Sequence, residues 1–472
     1  MASVQLNGTV RNFDLVIIGT GSGNSILDPR FRDWNVAVVE KGTFGGTCLN
    51  VGCIPTKMFV HTADLAATPA ASARFGVDSE LHGVRWADVR DRVFDRIDPI
   101  AAGGREYRVN HADNNNVTVF EGQGRFTAPK TLEVTLPDGQ RETITADKFV
   151  LAAGGRVVVP DVPGLADVGY DTSDTIMRLE SLPKRMTILG SGFVAAEFAH
   201  VFSSFGVEVT VIARSGALLR SEDDDISARF TSLASAKWDV RLDRKTVRAE
   251  RDGGVVRLHL EGPSGAEVVE SEVLLVAVGR HPNSDLLDVT AGGIATGPTG
   301  HVVVDDFQET SVEGVYALGD ISSPYELKHV ANHEARIVQH NLLNPDTREK
   351  ADHRFVPHAV FTSPQVASVG LTEREAKASG ARYVMSTQEY AGIAYGWAME
   401  DTTGFVKLLA DPATGQLLGA HIIGPQAPTV IQPLIQAMSF GLDVRQMARG
   451  QYWIHPGMPE VVENALLNLV LD

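Results

Sequence analysis

The chain has 472 residues, of which 43% are apolar and 21% charged, a balance that excludes general disorder and collagen-like repetition and predicts two to four globular domains. Its formal net charge of −17 repels phosphate backbones and acidic membranes, which makes nucleic acid a poor partner. No apolar run approaches the roughly 18 residues of a membrane span, and the polar opening Met1 to Asn12 lacks the apolar core of a secretory signal, so a cytoplasmic protein is expected.

In chain order, the β-branched run Phe13 to Ile18 enters the turn Gly19-Thr-Gly21-Ser22-Gly23-Asn24, and a second run, Val36 to Val39, ends at Glu40. This predicts strand, turn, short helix, strand. Glycines at these places allow a tight turn and close approach of backbone to a pyrophosphate, the helix N-terminus favours its charge, and Glu40 suits ribose hydroxyls. Asn24 stands where the usual fingerprint has its third glycine, and Asp28-Pro29 predicts an early end to the helix.

The string Gly45 to Lys57 contains the chain's only two cysteines, Cys48 and Cys53. Five residues of regular helix rise roughly 7.5 Å, too far for an unstrained bridge, so a disulfide here requires a distorted turn and would be easily reduced. Pro55 fits the first turn of a helix, whose N-terminus stabilises a thiolate. Two cysteines without a nearby histidine make a poor zinc site, and no metal is expected; two buried free thiols are the bland alternative.

A second strand, turn and helix follows, with Met186 to Leu189 leading into Gly190-Ser-Gly192-Phe193-Val194, and Val207 to Ile212 after it. Here the second strand ends without an acid, and Arg214 and Arg220 come next, a pattern suited to the 2′-phosphate of NADPH. Two ordinary solvated guanidiniums are the alternative. Val150 to Ala152 before Gly154, Val273 to Val278 before Gly279, and Val315 to Leu318 before Gly319 and Asp320 read as buried strands ending in turns. The polar connector Asn344 to Asp352 precedes a change of pattern, in which Ala359 to Thr362, Phe405 to Leu409 and Leu417 to Ile423 alternate with apolar helical stretches. Finally, Trp453-Ile-His455-Pro-Gly-Met-Pro-Glu460 sets a histidine five residues before a carboxylate in a proline-rich turn. Alone such a pair is commonly a surface feature, but beside a redox pair it suits proton donation to a departing thiol. The fold class expected is α/β: two Rossmann-like nucleotide-binding domains and a C-terminal α+β domain.

Together these residues resemble the pyridine nucleotide disulfide oxidoreductases, from about residue 13 to the end, with five motifs in the family order: Gly19 to Asn24, Cys48 to Lys57, Gly190 to Glu197, Thr310 to Asp320, and His455 to Glu460. The resemblance implies an FAD-binding domain in two parts, 1–152 and 280–350, an NADPH-binding domain at 153–279, and a dimerisation domain at 351–472. It implies that Cys48 attacks the substrate disulfide while Cys53 lies against the flavin, and that Lys57 sits by the flavin N5, paired with Glu197. Asp320 would bind the ribityl chain, the helix opening at Lys328 and His329 would face the flavin C2 carbonyl, and Phe193 would cover the nicotinamide pocket. Lys41, Gly46, Thr47, Gly124, Gly154, Val194, Gly279 and Arg280 would also line the bound cofactors. The family also implies a homodimer in which His455, held by Glu460, serves the partner's cysteines.

Within the family, Gly19 to Pro29, Leu327 to Arg336, Tyr395 to Glu400 and Arg449 to Trp453 are similar to members that reduce mycothione, a sugar-bearing disulfide, at the expense of NADPH. The early stop at Pro29 removes the stretch from which glutathione-directed members take a carboxylate-binding arginine. The lack of a second cysteine pair disfavours a mercuric ion substrate. A lipoamide- or glutathione-directed member is the alternative reading, and a non-enzymatic flavoprotein redox sensor is the alternative from another class.

Overall fold

Apolar runs covered on both faces favour parallel pairing, and the strand Val10–Ile18, in which Leu15, Val16 and Ile17 are fully buried, runs parallel to both its neighbours in a mixed sheet. The computed structural model describes residues 10–472, so most of the opening segment read for the absence of a secretory signal lies outside the described residues. The chain divides into two compact units. The first comprises the described residues up to Thr56 together with Ala87–Val158 and Arg280–Asp352. Its seven-stranded sheet runs Val117–Glu121, Val36–Glu40, Val10–Ile18, Arg141–Leu151, Thr131–Thr135, Gln123–Ala128, with Val315–Ala317 paired to Arg141–Leu151. The pairs Leu15 with Val36 and Ile18 with Leu151 fix the register.

Side chains alternate across this sheet and so make two cores. Leu15, Ile17, Val36 and Val38 pack with Ala335, Val338 and Leu342 of the helix Lys328–Leu343. Val16, Ile18, Ala37 and Val39 pack instead with Phe126, Leu132, Val134 and Ile144. Full burial of each large aliphatic side chain is worth about 1.5 to 3 kcal/mol.

The short helix expected after the first turn is two 3-10 segments, Ser22–Ser25 and Pro29–Phe31. Proline cannot continue the ladder, and the Asp28 carboxylate accepts the Arg30 N–H, offering the backbone a competing partner. Val150 to Ala152 turns out to be the end of the longer strand Arg141–Leu151.

The second unit comprises Lys57–Trp86, Val159–Gly279 and His353–Asp472. One sheet is parallel, in the order Asp239–Arg241, Glu208–Ile212, Arg185–Leu189, Val273–Val276, and an antiparallel meander spans Lys245–Ser271. The C-terminal sheet is antiparallel: His358–Val360, Val366–Gly370, Leu417–Ile423, Phe405–Ala410, Val384–Glu389. The strand expected to reach Thr362 stops at Val360.

Within this unit lies a charged core. Lys407, 1% exposed, donates to Asp223 at 2.8 Å, Asp225 at 2.6 Å and Glu373 at 2.7 Å. An ammonium removed from water requires such partners, and they in turn raise its pKa against the opposing effect of burial. Next to it Glu222 accepts from Ser368 at 2.7 Å and lies 2.8 Å from His358. Replacement Lys407→Met would leave the buried Asp223 without its counter-charge, while Asp225 is largely exposed and Glu373 keeps Lys377 at 2.8 Å, and chemical unfolding should show a loss of about 3 to 5 kcal/mol. A midpoint within error of the parent would show that the cluster contributes nothing to stability.

Candidate active site

Two sulfur atoms five residues apart meet only where the helix is interrupted, and the chain does this at Val51 and Gly52. A short helix, Gly46–Asn50, ends there and a second, Cys53–Ser72, begins. Asn50, absent from the sequence expectations although it sits between the cysteines, holds the first helix by donating to Phe44 O at 2.9 Å and Gly46 O at 3.0 Å. A Cβ on Gly52 would meet Thr47 O at 3.0 Å, so the crossing is tight. Cys48 and Cys53 are not bridged to each other, and Cys53 is the more exposed.

The Cys48 thiol is lowered to about 7, first by its hydrogen bond with Cys53, then by the charge of Lys328 and the backbone N–H groups of Cys53 and Ile54, against desolvation. The start of the second helix thus stabilises the thiolate as its N–H groups suggest. Lys328 is itself held by donating to Ser22 Oγ at 2.8 Å, and Ser22 donates to Asn332 at 3.2 Å, linking the glycine turn to the helix Lys328–Leu343.

The first glycine turn has the geometry its sequence requires. Gly19 has φ of 103°, and a Cβ there would lie 2.3 Å from Ala152 O. Gly46 approaches Gly21 so closely that a Cβ on Gly46 would sit 2.7 Å from its Cα. Glu40 ends its strand and accepts from Thr20 N at 2.8 Å, Thr20 Oγ1 at 2.7 Å and Gly42 N at 2.8 Å. A carboxylate has about four acceptor sites, so one remains for a ribose hydroxyl. A Cβ on Gly154 would meet nothing within 4 Å, which leaves room at that turn for a bound group. Asp320 lies in the 3-10 turn Gly319–Ile321, its carboxyl raised by burial against the pull of Arg280. Arg280 donates to Gly155 O at 2.7 Å. Lys41 and His329 are exposed, and Gly124 lies within the strand Gln123–Ala128, paired with Val134; Thr47 O accepts from Val51 N at 2.9 Å.

In the second unit, Gly190 has φ of 147°, and a Cβ there would fall 2.1 Å from Ala277 O. Gly192 caps the helix Phe193–Ser204, and a Cβ on Gly192 or Gly279 would meet nothing within 4 Å. Phe193 is exposed and Val194 partly so. Leu219 N donates to Ser191 O at 2.8 Å, which ties the loop carrying Arg214 and Arg220 to the turn. Both arginines are exposed, and neither forms an ion pair among the described residues. The open glycines and the unpaired guanidiniums fit a phosphorylated nucleotide.

The expected direct pairing of Lys57 with Glu197 is replaced by an arrangement through Phe361. The Lys57 ammonium lies 4.1 Å from the Phe361 ring centroid, and the Phe361 N–H donates to Glu197 at 2.9 Å. Burial pushes the Glu197 carboxyl up to about 7, against that N–H and the charge of Lys57. Phe361 carried no sequence signal, being one aromatic residue after a short strand. His455 Nδ1 lies 2.7 Å from Glu460 Oε1, and Gly457 N donates to Glu460 Oε2 at 3.1 Å. An ionised carboxylate only accepts, so Nδ1 carries the proton and Nε2 of the exposed ring is left for proton exchange.

Among the described residues no group of three or more His, Cys, Asp or Glu is placed to hold a metal ion, and no helix is long and apolar enough to cross a membrane. The family model described as pyridine nucleotide-disulphide oxidoreductase matches residues 13–335, and its dimerisation domain matches residues 356–466. The chain is 53% identical over 466 residues to the mycothione reductase of Mycobacterium tuberculosis, covering 98% of this chain and all of that protein. It is 32% identical to the dihydrolipoyl dehydrogenase of Corynebacterium glutamicum, over 96% of this chain and 97% of the relative. Among solved structures, the HOCl-induced flavoprotein disulfide reductase RclA of Escherichia coli superposes with a TM-score of 0.83 at 28% identity, over 96% of this chain and 99% of that one.

The Cys48 geometry makes a pH prediction. In the reduced protein, alkylation of Cys48 by iodoacetamide should rise with pH around a midpoint near 7, and Lys328→Met should move that midpoint upward because it removes a stabilising charge. A midpoint at the value of a free thiol, about 8.5, would show that Cys48 is not activated.

Proposed function

The chain belongs to the pyridine nucleotide-disulphide oxidoreductases, and on that premise we propose that this FAD- and NAD(P)H-dependent disulfide reductase uses NADPH to reduce mycothione to two molecules of mycothiol. Identity of 53% over nearly the whole chain to a mycothione reductase carries the substrate reading. The interrupted helix and the thiol of Cys48, half ionised near neutral pH, carry the chemistry.

The first glycine turn with residues 1–152 and 280–350 holds FAD, residues 153–279 hold NADPH, and residues 351–472 form the contact of a cytoplasmic homodimer. When bound, FAD supplies two-electron transfer between the nicotinamide and the cysteine pair. The Cys48 thiolate then attacks one sulfur of the substrate, forming a mixed disulfide and expelling the first thiolate. His455 from the second copy of the chain, oriented by Glu460, gives that thiolate its proton. Cys53 next loses its proton and attacks the Cys48 sulfur, which releases the second thiol and restores the Cys48–Cys53 bond. Glu197 and Lys57, bridged by Phe361, set the charge beside the flavin.

One feature supports mycothione over a more charged disulfide. Arg30, the arginine nearest the interrupted first helix, is engaged by Asp28, whose carboxyl it holds below the usual range, so it is not free to clamp a substrate carboxylate. A substrate rich in hydroxyls has less need of such a clamp. For the nucleotide, unpaired Arg214 and Arg220 support NADPH over NADH, and Ala213 stands where an acid would receive a ribose hydroxyl.

With mycothione, glutathione disulfide and lipoamide compared at one enzyme concentration, kcat/KM should be highest for mycothione, and a preference for either other disulfide would refute the substrate reading. His455→Ala should slow disulfide turnover by about 100-fold, yet spare NADPH-driven reduction of an artificial acceptor that bypasses the disulfide. The double change Arg214→Ala and Arg220→Ala should raise KM for NADPH about tenfold or more with little change for NADH. Equal use of both nucleotides by the parent would sink the assignment of that loop.

A further inference from the structure

Arg108, near the end of the helix Trp86–Asn110, is 6% exposed, and all its hydrogen bonds run to neutral acceptors. Its Nε donates to Asn24 Oδ1 at 3.0 Å, one terminal nitrogen to Asn24 O at 3.1 Å, and the other to Asn114 Oδ1 at 2.6 Å. The Tyr107 ring, centred 5.8 Å from the guanidinium carbon, is the remaining neighbour of note, and no carboxylate forms an ion pair with Arg108 among the described residues. A guanidinium buried without a counter-charge is costly unless a ligand brings the charge. Desolvation accordingly lowers its pKa.

The acceptor that takes two of these bonds is the residue that departs from the usual glycine fingerprint. Asn24 closes the turn Gly19–Asn24, and its Nδ2 amide has no acceptor among the described residues. Because its Oδ1 receives a charged donor, that amide is polarised into a stronger donor itself. We propose that Arg108 is the counter-charge of the FAD diphosphate, relayed by Asn24, whose amide donates to the phosphate. Arg108 is thus a positioning residue: it acts on the cofactor through Asn24. This rests on the placement of FAD at the first glycine turn.

The test separates charge from hydrogen bonding. FAD and ADP affinities of the full chain, and the melting temperature with and without added FAD, would be measured for Arg108→Lys, Arg108→Gln and Arg108→Met, with Gly21→Val as a control on the turn. A counter-charge requires that Lys retain most of the affinity, while Gln and Met weaken FAD and ADP alike by about tenfold without lowering the melting temperature of the flavin-free chain. Rescue by Gln but not Lys, or a fall in flavin-free melting with unchanged FAD affinity, would show a purely structural clamp and overturn the proposal. If Gly21→Val weakens FAD and Arg108→Met does not, the Arg108 assignment alone fails. If neither variant changes FAD affinity, FAD does not sit at this turn and both readings fall.

Discussion

A helix must be broken for Cys48 and Cys53 to meet, and much of the chemistry follows from how that break is made. Val51 and Gly52 end the helix Gly46–Asn50 and start the helix Cys53–Ser72 within two residues. The break creates a new helix N-terminus at Cys53, beside Cys48. Its N–H groups, the Cys53 thiol and the Lys328 charge then share the task of keeping Cys48 ionised near neutral pH. Asn50 is the internal strut, tying the end of the short helix back to Phe44 O and Gly46 O at its start.

Buried charge is used in three different ways in the two units. Lys407 is neutralised by the protein itself, with three carboxylates. Glu197 is poised rather than neutralised: burial raises it and a peptide N–H and a distant ammonium lower it, so its protonation changes near neutral pH. Arg108 is solvated only by amides, the arrangement expected where a ligand completes the charge balance.

The two glycine turns are alike in backbone and unlike in charge. Gly19 and Gly190 both press against a carbonyl of the neighbouring strand segment, at distances that admit no side chain. After the first turn Glu40 closes the strand; after the second, two unpaired arginines occupy the following loop. One backbone design thus appears twice with opposite charge beside it.

The sequence by itself determined the α/β class, the two glycine turns, the closely spaced cysteines, the histidine and its carboxylate, and the family, because each is a local pattern: spacing, strand periodicity or a turn that only glycine permits. The strand Leu417–Ile423 was legible for the same reason, whereas the helix Lys328–Leu343 was expected only from the family resemblance. The polar helix Trp86–Asn110 and the meander Lys245–Ser271 were not, since neither carries a distinctive motif. Tertiary structure alone decided the contacts between residues far apart in the chain. Phe361 stands between Lys57 and Glu197, Lys328 reaches Ser22, and Arg108 reaches back 84 residues to Asn24. Such contacts depend on which strands pair and which helix covers them, and a hydrogen bond between distant residues leaves no periodicity in one sequence from which to read it.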